Sequence, residues 1–354
     1  MTKISFIGDI SLNDKYNERY RSKENPFKQV SSFLHDSDYV VGNLECIAES
    51  NDGKENTLKK PRLKTGTETL NYLKEINLSL ATLAHNHIYD NLQGGFLNTV
   101  SFLKNNKIDY SGAGLSKEES SRAIIKNIDN TSICFLNYIT SDTNPNLPDE
   151  SEIRLNIFDE NTVIDDIIKN RQNDFVILIL HWGGNFEGGN FPSIHQRQLA
   201  KRLIDAGADI IVGHHSHTLQ PFEKYKGKYI FYSLGNFCFA DILSDGRIKP
   251  IDRKRFKRSI ILSLNMEEGS VKVQKNFIKN VNLNIVPDKS GKYEYWIKQM
   301  MFTLMKRTYI FWYMYYFFYK FIDPIIYQLS TIHHKNIYQR IRAFNSSKIK
   351  GLFR

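Results

Sequence analysis

Three histidines fall within four residues at His214, His215 and His217, in the run Gly213-His214-His215-Ser216-His217. The run follows Asp209-Ile210-Ile211-Val212, which reads as the end of a buried strand. A His-x-His pair just past a strand aims two imidazoles at one point, and imidazole is the commonest side-chain ligand of transition metals. Further groups able to hold a metal also follow apolar runs: Asp9, Asn43 with Glu45, Asn86 with His87, and His181. In a parallel α/β sheet the carboxyl ends of the strands share one rim, and ligands bind there. Carboxylates, an amide oxygen and imidazoles on that rim suit Mn²⁺, Zn²⁺ or Fe²⁺ better than Ca²⁺, which takes oxygen alone. Metal-dependent hydrolysis is the chemistry this set points to. Each residue also has a plainer reading. Asp9 serves as a turn residue, Asn86 as a helix N-cap, and His181 as a hydrogen-bonded structural histidine.

The elements that must position these groups alternate along the chain. Strands are expected at 4–7, at 40–41 leading into Asn43, at 78–83, 108–110, 175–180, 229–233 and 259–264. Helical patterns cover 67–75, 95–104 and 195–206, the last closed by Gly207. Residues 141–152 form a polar loop, and 245–258 a loop rich in Arg and Lys. The order predicts an α/β domain over residues 1–285.

Composition narrows the class. Hydrophobic content of 41% and charged content of 24% describe a globular chain of 354 residues. Its three cysteines, Cys46, Cys134 and Cys238, lie far apart and argue against both a disulfide framework and a cysteine zinc site. The opening residues run straight into a strand with no leader pattern, so a cytoplasmic location is expected.

The charge is uneven. Residues 295–354 carry ten Lys/Arg and one acidic residue, a balance of +9, which leaves +1 of the total +10 for the rest. Within this tail, ten of the fifteen residues 308–322 are aromatic. The run is too short and too rich in phenols for a spanning helix. It reads either as a helix lying on an anionic membrane surface at the inner face of the cell membrane, or as an aromatic helix packed on the body or in a dimer interface. No nucleic-acid motif appears, and no nucleic acid is expected as a partner.

Taken in order, Gly8-Asp9, Asn43-Leu44-Glu45, Asn86-His87-Ile88-Tyr89-Asp90, His181-Trp182-Gly183, Gly213-His214-His215-Ser216-His217 and Tyr232-Ser233-Leu234-Gly235-Asn236-Phe237 resemble the CapA (poly-γ-glutamate capsule synthesis, PGA_cap) family, within the calcineurin-like metallophosphoesterase superfamily. The resemblance covers roughly residues 3–285. It implies a four-layer αββα sandwich over residues 1–285, with 286–354 as a basic, aromatic-rich helical tail outside it. It implies two divalent metals, Mn, Fe or Zn: Asp9 and His217 on one, Asn86, His181 and His215 on the other, and Glu45 bridging. His87 would be the catalytic general acid. The pattern departs at Ser11, where the superfamily often has His, at Ser216, and after His181-Trp182-Gly183, where an earlier acidic residue is missing and either its role is lost or Glu187 takes it. The implied function is a hydrolase of phosphoester or amide bonds that works with the machinery of capsular or surface-polymer biosynthesis. The alternative is a non-catalytic assembly factor of a membrane-bound polymer synthase.

Overall fold

The computed structural model describes residues 1–330 apart from 146, 245, 246, 250, 252 and 268. Residues 331–354 of the expected tail lie outside the described residues.

Two large sheets form a mixed α/β body. In the first, strands Thr2–Ile10, Tyr39–Leu44, Leu80–Thr82 and Asp109–Ser111 run parallel, side by side. On the other flank of Thr2–Ile10 come Arg258–Glu267, Ser270–Val281 and Asn284–Pro287, all antiparallel. Asn236–Cys238 pairs in parallel with the end of Thr2–Ile10. The second sheet has the order Phe222–Tyr225, Lys228–Phe231, Ile210–His214, Phe175–His181, Thr131–Ile139, Ile124–Ile128, and its middle four strands are parallel.

Side chains alternate between the faces of a strand, and here both faces are buried. Ile4, Phe6, Val41 and Leu80 of the first sheet join Phe135, Ile177, Ile179 and Val212 of the second in one apolar cluster. The opposite face of the first sheet, with Ile7, Val40 and Ala81, packs with Leu73, Phe96, Val100 and Leu103 from helical segments. Burial on both faces is why the parallel strands read as continuous apolar runs.

The helix expected at 195–206 runs Ile194–Ala206. A capping box between Ser193 and Gln196 starts it, and Gly207, at φ 121°, ends it. The segment 67–75 is a 3-10 turn, Thr67–Asn71, followed by one α-helical turn, Tyr72–Glu75. The loop expected over 245–258 needs correction. Arg247–Lys249 pairs with Ile242–Ser244 as a small hairpin, and Lys254–Lys257 forms a 3-10 turn. Such a two-stranded piece leaves no apolar period to read.

Chain contacts divide the molecule into Met1–Phe302 and a second unit from Thr303 onward. The second unit comprises helix Tyr309–Phe317, a π-helical turn Phe318–Ile322 and helix Asp323–Ser330. Among the described residues, no helix is long and apolar enough to cross a membrane.

Candidate metal centre

The alternation that packs the sheets also aims the site. Val41, Leu80, Ile179 and Val212 belong to the cluster between the sheets. Two residues later on the same strands stand Asn43, Thr82, His181 and His214, on the same face at the carboxyl ends. A register shift between Ile7 and Asp9 turns Asp9 into line with them. That bend depends on Gly8, where a Cβ would lie 1.8 Å from the carbonyl oxygen of Gly235. The same carbonyl accepts the Asp9 N–H at 2.9 Å. Past the Ile210–His214 strand, His215 (φ 88°) and His217 (φ 58°) adopt left-handed backbone. Such conformations are uncommon outside glycine and concentrate at functional sites.

Six residues singled out from the sequence come together. Asn86 Oδ1 lies 3.1 Å from His181 Nε2, and His215 Nδ1 lies 3.0 Å from the same nitrogen. Beside this trio, Asp9 Oδ2 stands 3.2 Å from His217 Nδ1. Between the two groups sits Glu45, with Oε1 3.6 Å from His217 Nε2 and 4.0 Å from His181 Nε2. Donor atoms of Glu45, His215 and His217 all lie within 4.8 Å of one another.

Supporting residues fix these side chains. Asp9 Oδ1 accepts from Asn43 Nδ2 at 2.9 Å and is 3.0 Å from His214 Nδ1. Asn236 Oδ1 accepts from His217 Nδ1 at 2.9 Å, which leaves Nε2 of that ring facing Glu45. Ser11 contributes nothing comparable: its hydroxyl donates to Asn13 Oδ1 at 2.7 Å.

The electrostatics are those of a buried site with few hydrogen-bond partners. Neither oxygen of Glu45 has a hydrogen-bond partner, and neither has Asp9 Oδ2 or His215 Nε2. Burial pushes the Glu45 carboxyl up to about 8 and the His215 imidazole down to about 4. His181 is held well below its usual range by burial and by neighbouring His215. Burial would also raise Asp9, but the neighbouring His214 and His217 imidazoles prevail and hold its carboxyl well below normal. For His217 burial opposes the charge, yet Glu45 and Asp9 raise it to about 10. Buried, unsatisfied oxygens and the neutral imidazoles of His181 and His215 form a donor set that suits a borderline divalent metal.

Beside this set opens a cavity of about 340 Å³, lined by Lys59, Lys60, Asn86, His87, Glu187 and His217 among others. His87 Nδ1 is 2.6 Å from Asp90 Oδ2, and Asp90 Oδ1 is 3.0 Å from Lys59 Nζ. Lys59 also donates to the carbonyl of Asn86. Sequence reasoning passed over Lys59 and His85. His85 is fully buried 6.2 Å from the His181 ring, and its Nδ1 accepts the His87 N–H at 3.2 Å. A second histidine in the run 85–87 was a visible signal. Lys59, next to Lys60-Pro61, carried none. Cys46, Cys134 and Cys238 are buried free thiols, in keeping with core residues.

The family model described as "Bacterial capsule synthesis protein PGA_cap" matches residues 3–241. The capsule biosynthesis protein CapA of Bacillus anthracis is 30% identical over 284 residues, 76% of this chain and 68% of that protein. The PGA biosynthesis protein CapA of Bacillus subtilis is 33% identical over 248 residues, 66% of this chain and 62% of its own length. Among solved structures, a putative 5'-nucleotidase from Staphylococcus aureus superposes with a TM-score of 0.47 at 11% identity, over 85% of this chain and 59% of that one. That likeness is too distant to support a functional inference. The family match and the two Bacillus relatives are enough to place the chain: it belongs to the PGA_cap family of bacterial capsule synthesis proteins.

Proposed function

We propose that this chain is a metal-dependent hydrolase of phosphoester or amide bonds acting in the synthesis of a capsular or other surface polymer, on a four-layer αββα body. Glu45 carries the reading. It is a fully buried carboxylate with no hydrogen-bond partner on either oxygen, set between two groups of donor atoms, and a shared cation would satisfy it. Asp9, Glu45 and His217 would hold one divalent ion. Asn86, His181 and His215 would hold a second, with Glu45 shared. Mn, Fe or Zn fits such ligands. When bound, the ions supply Lewis-acid polarisation and an acidified water.

This chain's own residues do the rest. Asn43 and His214 steady Asp9, and Asn236 sets the tautomer of His217. Asp90, braced by Lys59, holds the Nδ1 side of His87. The Nε2 of His87 is thereby left to give a proton to the leaving group. The names of the Bacillus relatives support a role beside polymer-synthesis machinery.

One observation favours a second reading, a non-catalytic assembly factor. Ser11 spends its hydroxyl on Asn13, so the site lacks a ligand there. Elemental analysis of wild type beside His215→Ala tests the metal centre. About two ions per chain, sharply reduced in the variant, are expected. His87→Asn should then keep the metal while hydrolysis falls about 10²- to 10⁴-fold. Unchanged polymer production in cells carrying His87→Asn would leave the assembly role standing instead.

A further inference from the structure

Helix Gly291–Met305 has two unlike faces where it belongs to the body. Inward, Phe302 is fully buried with its ring 5.7 Å from Tyr232. Lys298 Nζ donates to the Leu219 carbonyl at 2.9 Å, and Gln299 both accepts from and donates to the backbone of Phe222. Outward, Tyr293, Trp296, Ile297, Met300 and Met301 are exposed, Trp296 to 55%. At 100° per residue these five fall within an arc of about 140°, and no charged residue interrupts it. Surface helices ordinarily turn charged residues to water. A contiguous exposed apolar stripe marks an interaction site.

Charge selects the occupant. Lys289, Lys292, Lys306 and Arg307 flank the stripe in sequence. The nearby acid, Glu294, is paired with Lys254 and Arg258. Residues 295–354 together carry +9. In the second unit, Tyr309, Ile310, Tyr313, Met314 and Phe317 are exposed too. A second copy meeting this surface through its own identical surface would set one +9 segment against another. An anionic leaflet neutralises the same charge. Tyr, Trp and Met on a short helix suit the depth of the lipid headgroups, and no described helix is long and apolar enough to cross.

We propose that the outer face of Gly291–Met305 seats on an anionic lipid bilayer and so fixes the body at a membrane surface. This goes beyond the hydrolase reading and stands or falls without it, because none of these residues lines the metal centre.

The test uses the full chain with vesicles of phosphatidylcholine alone or mixed with phosphatidylglycerol. Co-flotation is measured beside quenching of tryptophan fluorescence by brominated acyl chains. Binding at least about tenfold tighter to the anionic vesicles is expected, weakening with salt. The double variant Trp296→Ser/Met300→Ser should lose about tenfold in affinity, with metal content and circular dichroism unchanged. Trp296→Phe/Met300→Leu should retain binding. Equal binding to neutral vesicles overturns the proposal. So does no binding at all, whether the chain is then a monomer or a dimer that Trp296→Ser/Met300→Ser dissociates. Loss of metal or of hydrolysis with vesicle binding intact would count against the hydrolase reading alone.

Discussion

The gap between the two sheets has two ends, built on the same strands by the same alternation, with opposite chemistry. At one end Ile4, Phe6, Val41, Ile177 and Val212 are buried against each other. At the other Asp9, Asn43, His181, His214 and His215 are buried as deeply. The apolar end gains roughly 25 cal/mol for each Å² removed from water. The polar end leaves Asp9 Oδ2, both Glu45 oxygens and His215 Nε2 without hydrogen bonds. Each such group costs about 1–3 kcal/mol. Burial does not distinguish the two ends; satisfaction of polar atoms does. The strands gain stability at one end and hold unsatisfied donor atoms at the other.

Substitutions at each end should therefore separate stability from metal binding. The largest effect belongs to Phe135→Ala at the apolar end, where the ring packs 5.5 Å from Tyr39 and 6.3 Å from Phe6. Unfolding in denaturant should show a loss of about 3–5 kcal/mol, while the metal content of the remaining folded chain stays that of wild type. A fall in metal per folded chain would mean that the two ends are coupled and the contrast is wrong.

Glu45→Met reverses the pattern. In chelator the variant should be as stable as wild type or more so, by up to about 3 kcal/mol, because a buried carboxylate without hydrogen-bond partners has been removed. Added Mn²⁺ should raise the melting temperature of wild type and leave the variant unmoved. A variant less stable than wild type in chelator would show that protein contacts already satisfy Glu45, and the bridging role would go with that result.

This contrast also explains what was legible beforehand. A polar residue ending an apolar run is a local signal, and Asp9, His181 and His215 gave it. The helix Ile194–Ala206 announced itself through Gly207 and its cap. Lys59 did not, because its burial is made by Asn86 and Asp90, distant in sequence, and a lysine beside Lys60-Pro61 reads as solvated. The twelve-residue strand Ser270–Val281 was hidden for a related reason. Its row Val271, Val273, Lys275, Phe277 contains a lysine where an apolar residue is expected. Lys275 Nζ lies 3.8 Å from the centroid of the Phe222 ring, so an aromatic face on another strand accepts the charge. The hairpin of Ile124–Ile128 and Thr131–Ile139 was overlooked although the second strand is a plain apolar run. The order of strands in each sheet depends on pairings between distant segments that no local pattern encodes.

The boundary between the two ends can be located at Thr82, one alternation past Leu80. Its hydroxyl lies 3.4 Å from both the Gly42 carbonyl and Asn43 Oδ1, long for hydrogen bonds of this type. Thr82→Val keeps the shape and removes the hydroxyl. The expected change in stability is about 1 kcal/mol or less, with metal affinity weakened slightly, since Asn43 would lose a contact on its Oδ1 while its Nδ2 still holds Asp9. A gain in stability with metal affinity untouched would place Thr82 on the apolar side, so that the polar end begins only at Asn43. A loss above about 3 kcal/mol together with loss of metal would place Thr82 inside the coordination set's support, acting on Asp9 through Asn43. The small expected effect is informative because strand geometry is common to both ends, and only the satisfaction of one hydroxyl changes.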